Sequence, residues 1–303
     1  KEGSEPTILP VVQLNWSPTF KFLGGSFNLN LNSTNIIRKT DGNTQRISVK
    51  SSWKRNTITK NGHLIDMGFF LRGDLYRSTK KYIPNNSSRL LPSNRFGEDL
   101  NIARILPNYF LEWRYPVVSP NGHTIIEPII NFTVAPNDKE YSKIPNEDSI
   151  AFELNSANIF FNERIQGFDR WEYGNRINYG IQISHFWGDR IIKALLAQSY
   201  RFSDLNFSYT GSGLRKDFSD LIFDLFYQPN KNLTITYRGR MNEDDLNLTR
   251  SEFDIQGNFK NWGFRLGHAH LDDEEYINLK EQKELRFANF INISENWLLQ
   301  GAI

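Results

Sequence analysis

Cysteine is missing from the chain, and with it any disulfide framework or thiolate metal site. Methionine is scarce, with two residues in 303. Long apolar runs are missing too: none exceeds about four residues, so no transmembrane helix can form. Charge of one sign is not in excess. The net charge is +2 with a pI near 8.6, too balanced to point to nucleic acid. No HExxH, GxSxG, Walker A or GxGxxG motif occurs, so no enzyme class and no cofactor is indicated.

What is present is aromatic and alternating. Aromatic residues make up 14% of the chain, with 23 Phe, 12 Tyr and 7 Trp. A period of two recurs almost throughout, and helical periodicity almost nowhere. From Ile65, one face reads Ile65, Met67, Phe69, Leu71 and Leu75, and the other Asp66, Gly68, Phe70, Arg72 and Asp74. Tyr109, Leu111, Trp113 and Tyr115 oppose Glu112 and Arg114. Ile177, Tyr179, Ile181, Ile183 and Trp187 oppose Arg176, Asn178, Gln182 and Ser184. Repeated along the chain, the pattern predicts roughly fourteen strands. Most span about nine to thirteen residues, enough for a tilted strand to cross a bilayer.

Connection lengths sharpen the reading. Short turns near 18–24, 56–62, 116–122, 188–189, 229–232, 260–261 and 294–296 alternate with longer loops at 35–43, 77–101, 136–173, 203–219, 241–245 and 272–280. Short turns on one rim and long loops on the other are the pattern of an outer-membrane barrel. A mean hydropathy of −0.53 does not oppose this, because only alternate residues of such a barrel face lipid. The expected fold is all-β, an antiparallel up-and-down transmembrane β-barrel. The chain opens on KEGSEPT and ends on LLQGAI within strand-like sequence, and it reads as a piece of a longer protein.

The longest connection lies within 135–180. Between Asp138 and Glu172 it holds eight acidic and four basic residues. A structureless loop of that length is uncommon in a compact domain and is usually functional. Its carboxylates show no pairing suited to acid–base work, so solvated loop charge is the simpler reading. His268 and His270, two apart on one strand face beside Asp272 and Asp273, form a thinkable metal pair. Without a third ligand, an interfacial aromatic face is the better account.

Seven arginines, Arg72, Arg114, Arg176, Arg238, Arg240, Arg265 and Arg286, fall on the polar parity of their strands. In a barrel they point into the lumen, because a charge facing lipid at the midplane costs about 2–4 kcal/mol. Pairing with luminal Asp66, Asp74, Glu112 and Asp224 would account for most of them. The functional reading beside it is a polar conduit able to pass an anionic, phosphate-bearing or sugar-rich substrate, and as a set the arginines make the interior wet.

The chain also resembles a known family, the lipopolysaccharide-assembly outer-membrane protein LptD (OstA, organic solvent tolerance protein). The residues that carry the likeness are Ile144 to Ser149, Phe152-Glu153, Asn158 to Phe160, Asn162 to Arg164, Gly167 to Arg170, Glu172 and Arg176 to Gly180. They are similar to a loop motif of alphaproteobacterial members. Arg104 to Pro107, Glu112 to Pro116, Ile126 to Pro128, Val134 to Pro136, Gln198 to Arg201 and Leu9-Pro10 add to it. Ile159 stands where a leucine is commoner.

The resemblance implies a barrel of about 26 strands, within the range of single-chain barrels, of which residues 1–303 form a middle and later part. A periplasmic jellyroll and the terminal strands would lie outside this chain. It implies integral outer-membrane localisation and a non-enzymatic translocon that places lipopolysaccharide in the outer leaflet. The implied partners are an LptE-like lipoprotein plug and, through the absent N-terminal domain, an LptA-like periplasmic bridge. Asn146, Glu147, Asp148, Ser149, Phe160, Arg164, Gly167, Asp169, Arg170, Glu172 and Arg176 would face that plug or the lumen. Asp169 and Arg170 would hold the shape of an extracellular 136–173 loop by local hydrogen bonds and an ion pair. The alternatives are a passive porin or receptor-type barrel and a secreted carbohydrate-binding β-protein, in which Phe69, Trp113, Tyr179 and Trp187 would pack as a core.

Overall fold

The computed structural model describes residues 6–38, 43–79, 99–141, 143–149, 153–202, 212–214, 216–272 and 280–303. Phe152, Asp273 and parts of the 35–43, 77–101, 136–173, 203–219 and 272–280 loops lie outside the described residues. The described elements are all strands: β1 (Thr7–Trp16), β2 (Ser26–Ile37), β3 (Thr44–Ile58), β4 (Leu64–Ser78), β5 (Leu100–Arg114), β6 (Val117–Val118), β7 (Thr124–Val134), β8 (Arg176–Trp187), β9 (Arg190–Arg201), β10 (Leu221–Asn230), β11 (Leu233–Met241), β12 (Leu248–Asn258), β13 (Trp262–Leu271), β14 (Gln282–Ser294) and β15 (Trp297–Ala302).

They form one antiparallel meander in chain order, with the two-residue β6 adding only a short pairing to β7. Sequential hairpins of this kind are what period-two patterning with short turns produces. β3, β4 and β5 each run fifteen residues, longer than the alternation alone predicts. Their extra length carries them beyond the apolar stripe, where Arg46, Tyr76 and Arg104 meet the long inner segment on one face.

The register fixes two unlike faces. On β4 the even positions Phe70, Arg72, Asp74, Tyr76 and Ser78 are buried, while Phe69, Leu71 and Leu75 are exposed. On β3 Arg46 and Ser48 are buried, and Ile47 and Val49 are exposed. The uncovered face is therefore apolar and the covered face polar, the inverse of a soluble sandwich. What covers the polar face is the 135–175 segment, which turns back along the inside of the sheet. Its packing creates the three hydrophobic clusters. Phe70 and Leu106 meet Ala135, Tyr141, Trp171 and Tyr173. Ala197 and Ile222 meet Leu154 and Ile159 of the segment, joined by Leu214 from the 203–219 loop. Tyr76 and Ile102 meet Ile144.

Trp16, Trp53, Trp113, Trp187, Trp262 and Trp297 all lie in the halves of their strands nearer the short turns. The seventh, Trp171, is buried in the inner segment. Around the short-turn rim His63 stacks on Tyr115, and Trp187 stacks on Tyr227. Such rings, apolar in body and polar at one edge, settle at a membrane–water boundary.

Candidate functional site

The inner segment is held by ion pairs and main-chain bonds. At its centre Asp169 is 1% exposed. One carboxylate oxygen accepts from Arg46 Nη1 at 2.7 Å and from the Tyr76 hydroxyl at 3.1 Å. The other accepts from the backbone amides of Glu147 and Asp148 at 2.6 and 3.0 Å. Asp148 returns the contact: its Oδ1 accepts from the amides of Phe168 and Asp169 at 2.9 and 3.2 Å. Two stretches some twenty residues apart thus cap each other, and Arg46 bridges both carboxylates. Burial first, and then the Asp169 charge, push the Asp148 carboxyl above its ordinary value.

Asn146 and Ser149 close this turn, Asn146 Oδ1 accepting from the Ser149 amide and its side-chain amide donating to the Ser149 carbonyl. Ser149 Oγ accepts from the Arg170 amide at 2.9 Å. Glu147 is gripped by both terminal nitrogens of Arg38 and by the Thr44 hydroxyl. Gly167 has φ +93°, and a Cβ there would stand 2.6 Å from the Asp148 carbonyl oxygen. Only glycine fits, by conformation and by space.

Next to this clasp the Phe168 carbonyl collects Arg72 at 2.5 Å, Arg104 at 2.6 Å and Tyr76 at 3.1 Å. Arg104 also donates to Asp74 and to Asp138. Arg170 donates to the Ile144 carbonyl at 2.7 Å and lies over the Tyr141 ring. Asp169 finds its cation in Arg46 on β3, so the expected ion pair reaches from segment to wall rather than staying within the loop.

A second node surrounds Glu172. Arg164 and Arg201 both pair with its carboxylate, and Arg176 Nη2 stands 3.7 Å away. Burial alone would raise this carboxyl, but the three guanidinium charges overcome it and hold Glu172 well below the ordinary carboxylate range. Arg176 donates to the Asn162 carbonyl, and Arg201 to that of Tyr173. Phe160 packs on the Leu154–Ile159 cluster, and Arg114 approaches its ring from β5.

The seven arginines read from the sequence all lie on the inner face. They fall into two groups. Arg72, Arg176 and Arg240 are buried under the inner segment, where Arg240 reaches Glu153 on the segment. Arg114, Arg238, Arg265 and Arg286 are more open and pair with neighbours on the wall, Glu112 and Glu127, Glu252, Asp254 and Glu284. Asp74 and Glu112 take arginine partners as expected. Asp66 and Asp224 do not: Asp66 pairs with Lys54, and Asp224 accepts from the Ser156 hydroxyl.

The sequence reading missed Arg38, Arg46 and Tyr76 as wall-side anchors, and Asp138 as the segment's acceptor for Arg104. Arg46 carried a signal, since it shares the polar parity of β3 with Ser48 and Lys50. His268 and His270 point outward, opposite Phe253 and Ser251 on β12. His270 meets Glu281, and among the described residues no cluster of metal-ligating side chains forms.

An antiparallel meander, apolar outside and polar within, with a tryptophan girdle at one rim and an ion-paired segment folded inside, defines a transmembrane β-barrel of the outer-membrane type. A family model, LptD (LPS transport system D), matches residues 1–300. The chain belongs to that family, whose members are outer-membrane β-barrel proteins of lipopolysaccharide transport and assembly. No curated protein matches the chain. The porin and receptor alternative gains no support from this match.

Proposed function

We propose that the 135–175 segment is a built-in inner plug of a lipopolysaccharide translocon. It braces β3–β12 from within and offers its remaining surface to an LptE-like lipoprotein. The observation that carries this reading is the Asp148–Asp169 clasp, which ties two parts of the segment to each other and to Arg46 and Tyr76 on the wall. In this reading the long loops face the cell exterior and the short turns the periplasm, and lipopolysaccharide arrives from an LptA-like bridge. The protein acts as a conduit and not as an enzyme. In support, the buried carboxylates Asp169 and Glu172 are occupied by arginines and backbone amides and hold structure together.

Co-purification tests this. The full-length protein, tagged and extracted from outer membranes in detergent, should bring a stoichiometric small lipoprotein with it. Deletion of residues 136–173 should lose that partner, and replacing Asp169 and Arg170 with Ala should weaken it or impair assembly. A conductive barrel with no partner would reject the reading. Normal assembly of the double variant with failed transport would reject the structural role of Asp169 and Arg170.

A further inference from the structure

We propose that the outward rim of β3–β5 is a binding site for the phosphorylated saccharide headgroup of lipopolysaccharide in the outer leaflet. The proposal rests on the orientation given above, with long loops outside.

Cross-strand register places Gln45, Arg77 and Asn101 directly opposite one another, Gln45 to Arg77 on one side and Arg77 to Asn101 on the other. All three are on the outward face and exposed. Immediately below them stand Ile47, Leu75, Ala103 and Ile105, and Leu75 and Ile105 are 59% and 72% exposed. A groove of ≈ 400 Å³ runs along this row, lined by Gln45, Ile47, Leu75, Arg77, Asn101 and Ala103.

Depth decides what meets this row. On β4 the outward positions from Ile65 to Leu75 are apolar or glycine. Ten residue steps at about 3.3 Å, tilted by about 40°, rise about 25 Å, the height of an outer-membrane apolar band. Arg77 is the next outward residue, so its guanidinium sits at headgroup level, where a charge costs little. The short-turn rim is lined instead by tryptophans, so the two rims are chemically unlike.

The row suits one kind of headgroup. A guanidinium binds phosphate oxygens in a bidentate fork, and the flanking side-chain amides of Gln45 and Asn101 can donate to and accept from sugar hydroxyls. The exposed aliphatic residues below take acyl chains. Among the described residues Arg77 has no carboxylate partner, which leaves its charge for an anionic lipid. An outer-leaflet lipid carrying phosphate on a saccharide, with several acyl chains, matches all three features.

The test uses full-length protein in detergent and native mass spectrometry, with diphosphoryl lipid A, dephosphorylated lipid A and phosphatidylglycerol as probes. Arg77→Ala should reduce retained diphosphoryl lipid A by about tenfold, the loss of one charge-assisted contact. Arg77→Lys should keep part of it, and Gln45→Ala with Asn101→Ala should lower it further. Dephosphorylated lipid A should be held weakly and equally by wild type and Arg77→Ala. Unchanged retention in an Arg77→Ala protein that assembles normally would overturn the site. Phosphatidylglycerol held as well as lipid A, and lost equally in the variant, would reduce it to a general anionic-lipid contact and also overturn it. Orientation is read separately, in intact cells with an impermeant maleimide, against the unsubstituted full-length protein as background, since residues 1–303 contribute no cysteine. Thr79→Cys should label and Asn121→Cys, in a short turn, should not. The reverse pattern would reject the orientation and the proposal together.

Discussion

Asp148 and Asp169 each accept the other's backbone amide while sharing Arg46 as a counter-charge. The two differ in setting: Asp148 keeps 33% of its side chain exposed, and Asp169 keeps 1%. Removing Asp169 therefore leaves two backbone amides without their acceptor, and leaves the buried Arg46 to the more exposed Asp148 and to Asn32. Asp169→Ala should destabilise docking of the segment by about 3–5 kcal/mol, the range for breaking one side of a buried pair. Asp148→Ala should cost less, because water can replace part of what it provides. Limited proteolysis of the folded barrel, with cleavage mapped to 136–173, reads the difference. Equal protection in Asp169→Ala and wild type would sink the argument.

Gly167 offers a cleaner comparison, since two glycines with positive φ differ in their surroundings. Gly122 has φ +73° with open space where a Cβ would go, and Gly167 has φ +93° with the Asp148–Ser149 backbone in the way. Gly122→Ala should cost about 1 kcal/mol, the left-handed penalty alone. Gly167→Ala must also push the clasp apart, adding about 1–3 kcal/mol of overpacking. Thermal loss of the compact, heat-modifiable form on gels checks the ranking. Similar midpoints for the two variants would mean that the clasp yields easily.

Much of this wall was legible in the sequence, for a physical reason. A strand between lipid and water must alternate, so the faces of Ile65–Leu75 and Arg176–Trp187 could be read directly. The inner segment was legible only as unusual. Its anchors lie far off in sequence, with Arg46 and Asp169 123 residues apart, and alternation says which residues point inward without saying what they meet. Asp66 and Asp224 show the same limit: their face was correct and their partners were not. The fifteen-residue length of β3–β5 was hidden because the polar extensions continue the pairing after the apolar stripe has ended.

Glu172 should make the segment acid-sensitive. Its carboxyl is depressed in the folded protein, so folding favours the ionised form. The sign follows: the stabilisation is fully present above the unfolded value near 4.5 and is lost as pH falls through and below it toward the folded value. Asp148, raised by burial, opposes this in part as pH falls. Hydrogen exchange of residues 153–175 should be flat from neutral pH to about 5 after correction for intrinsic rates, and then rise. Glu172→Gln should be less protected at neutral pH and lose that acid dependence, because Arg164, Arg176 and Arg201 then lose the Glu172 charge. An acid transition of the same size in the variant would assign the effect to another group.

The final prediction separates the two faces of the wall. Leu71 is midway along the apolar outward stripe of β4, 45% exposed, between Ser51 and Pro107 on its neighbours. Thr236 lies on the inner face of β11, opposite Asp254. An arginine at Leu71 must enter hydrocarbon near the midplane, at a cost of about 2–4 kcal/mol. The same residue at Thr236 enters a wet, charged interior with a carboxylate directly across the strand pair. Leu71→Arg should therefore lower the amount of assembled barrel in outer membranes severalfold, and Thr236→Arg should leave it near wild type. Quantifying heat-modifiable protein in outer-membrane fractions distinguishes the two. If Thr236→Arg were the more damaging, the assignment of faces would be inverted, and the outward Gln45–Arg77–Asn101 row would then lie inside the barrel.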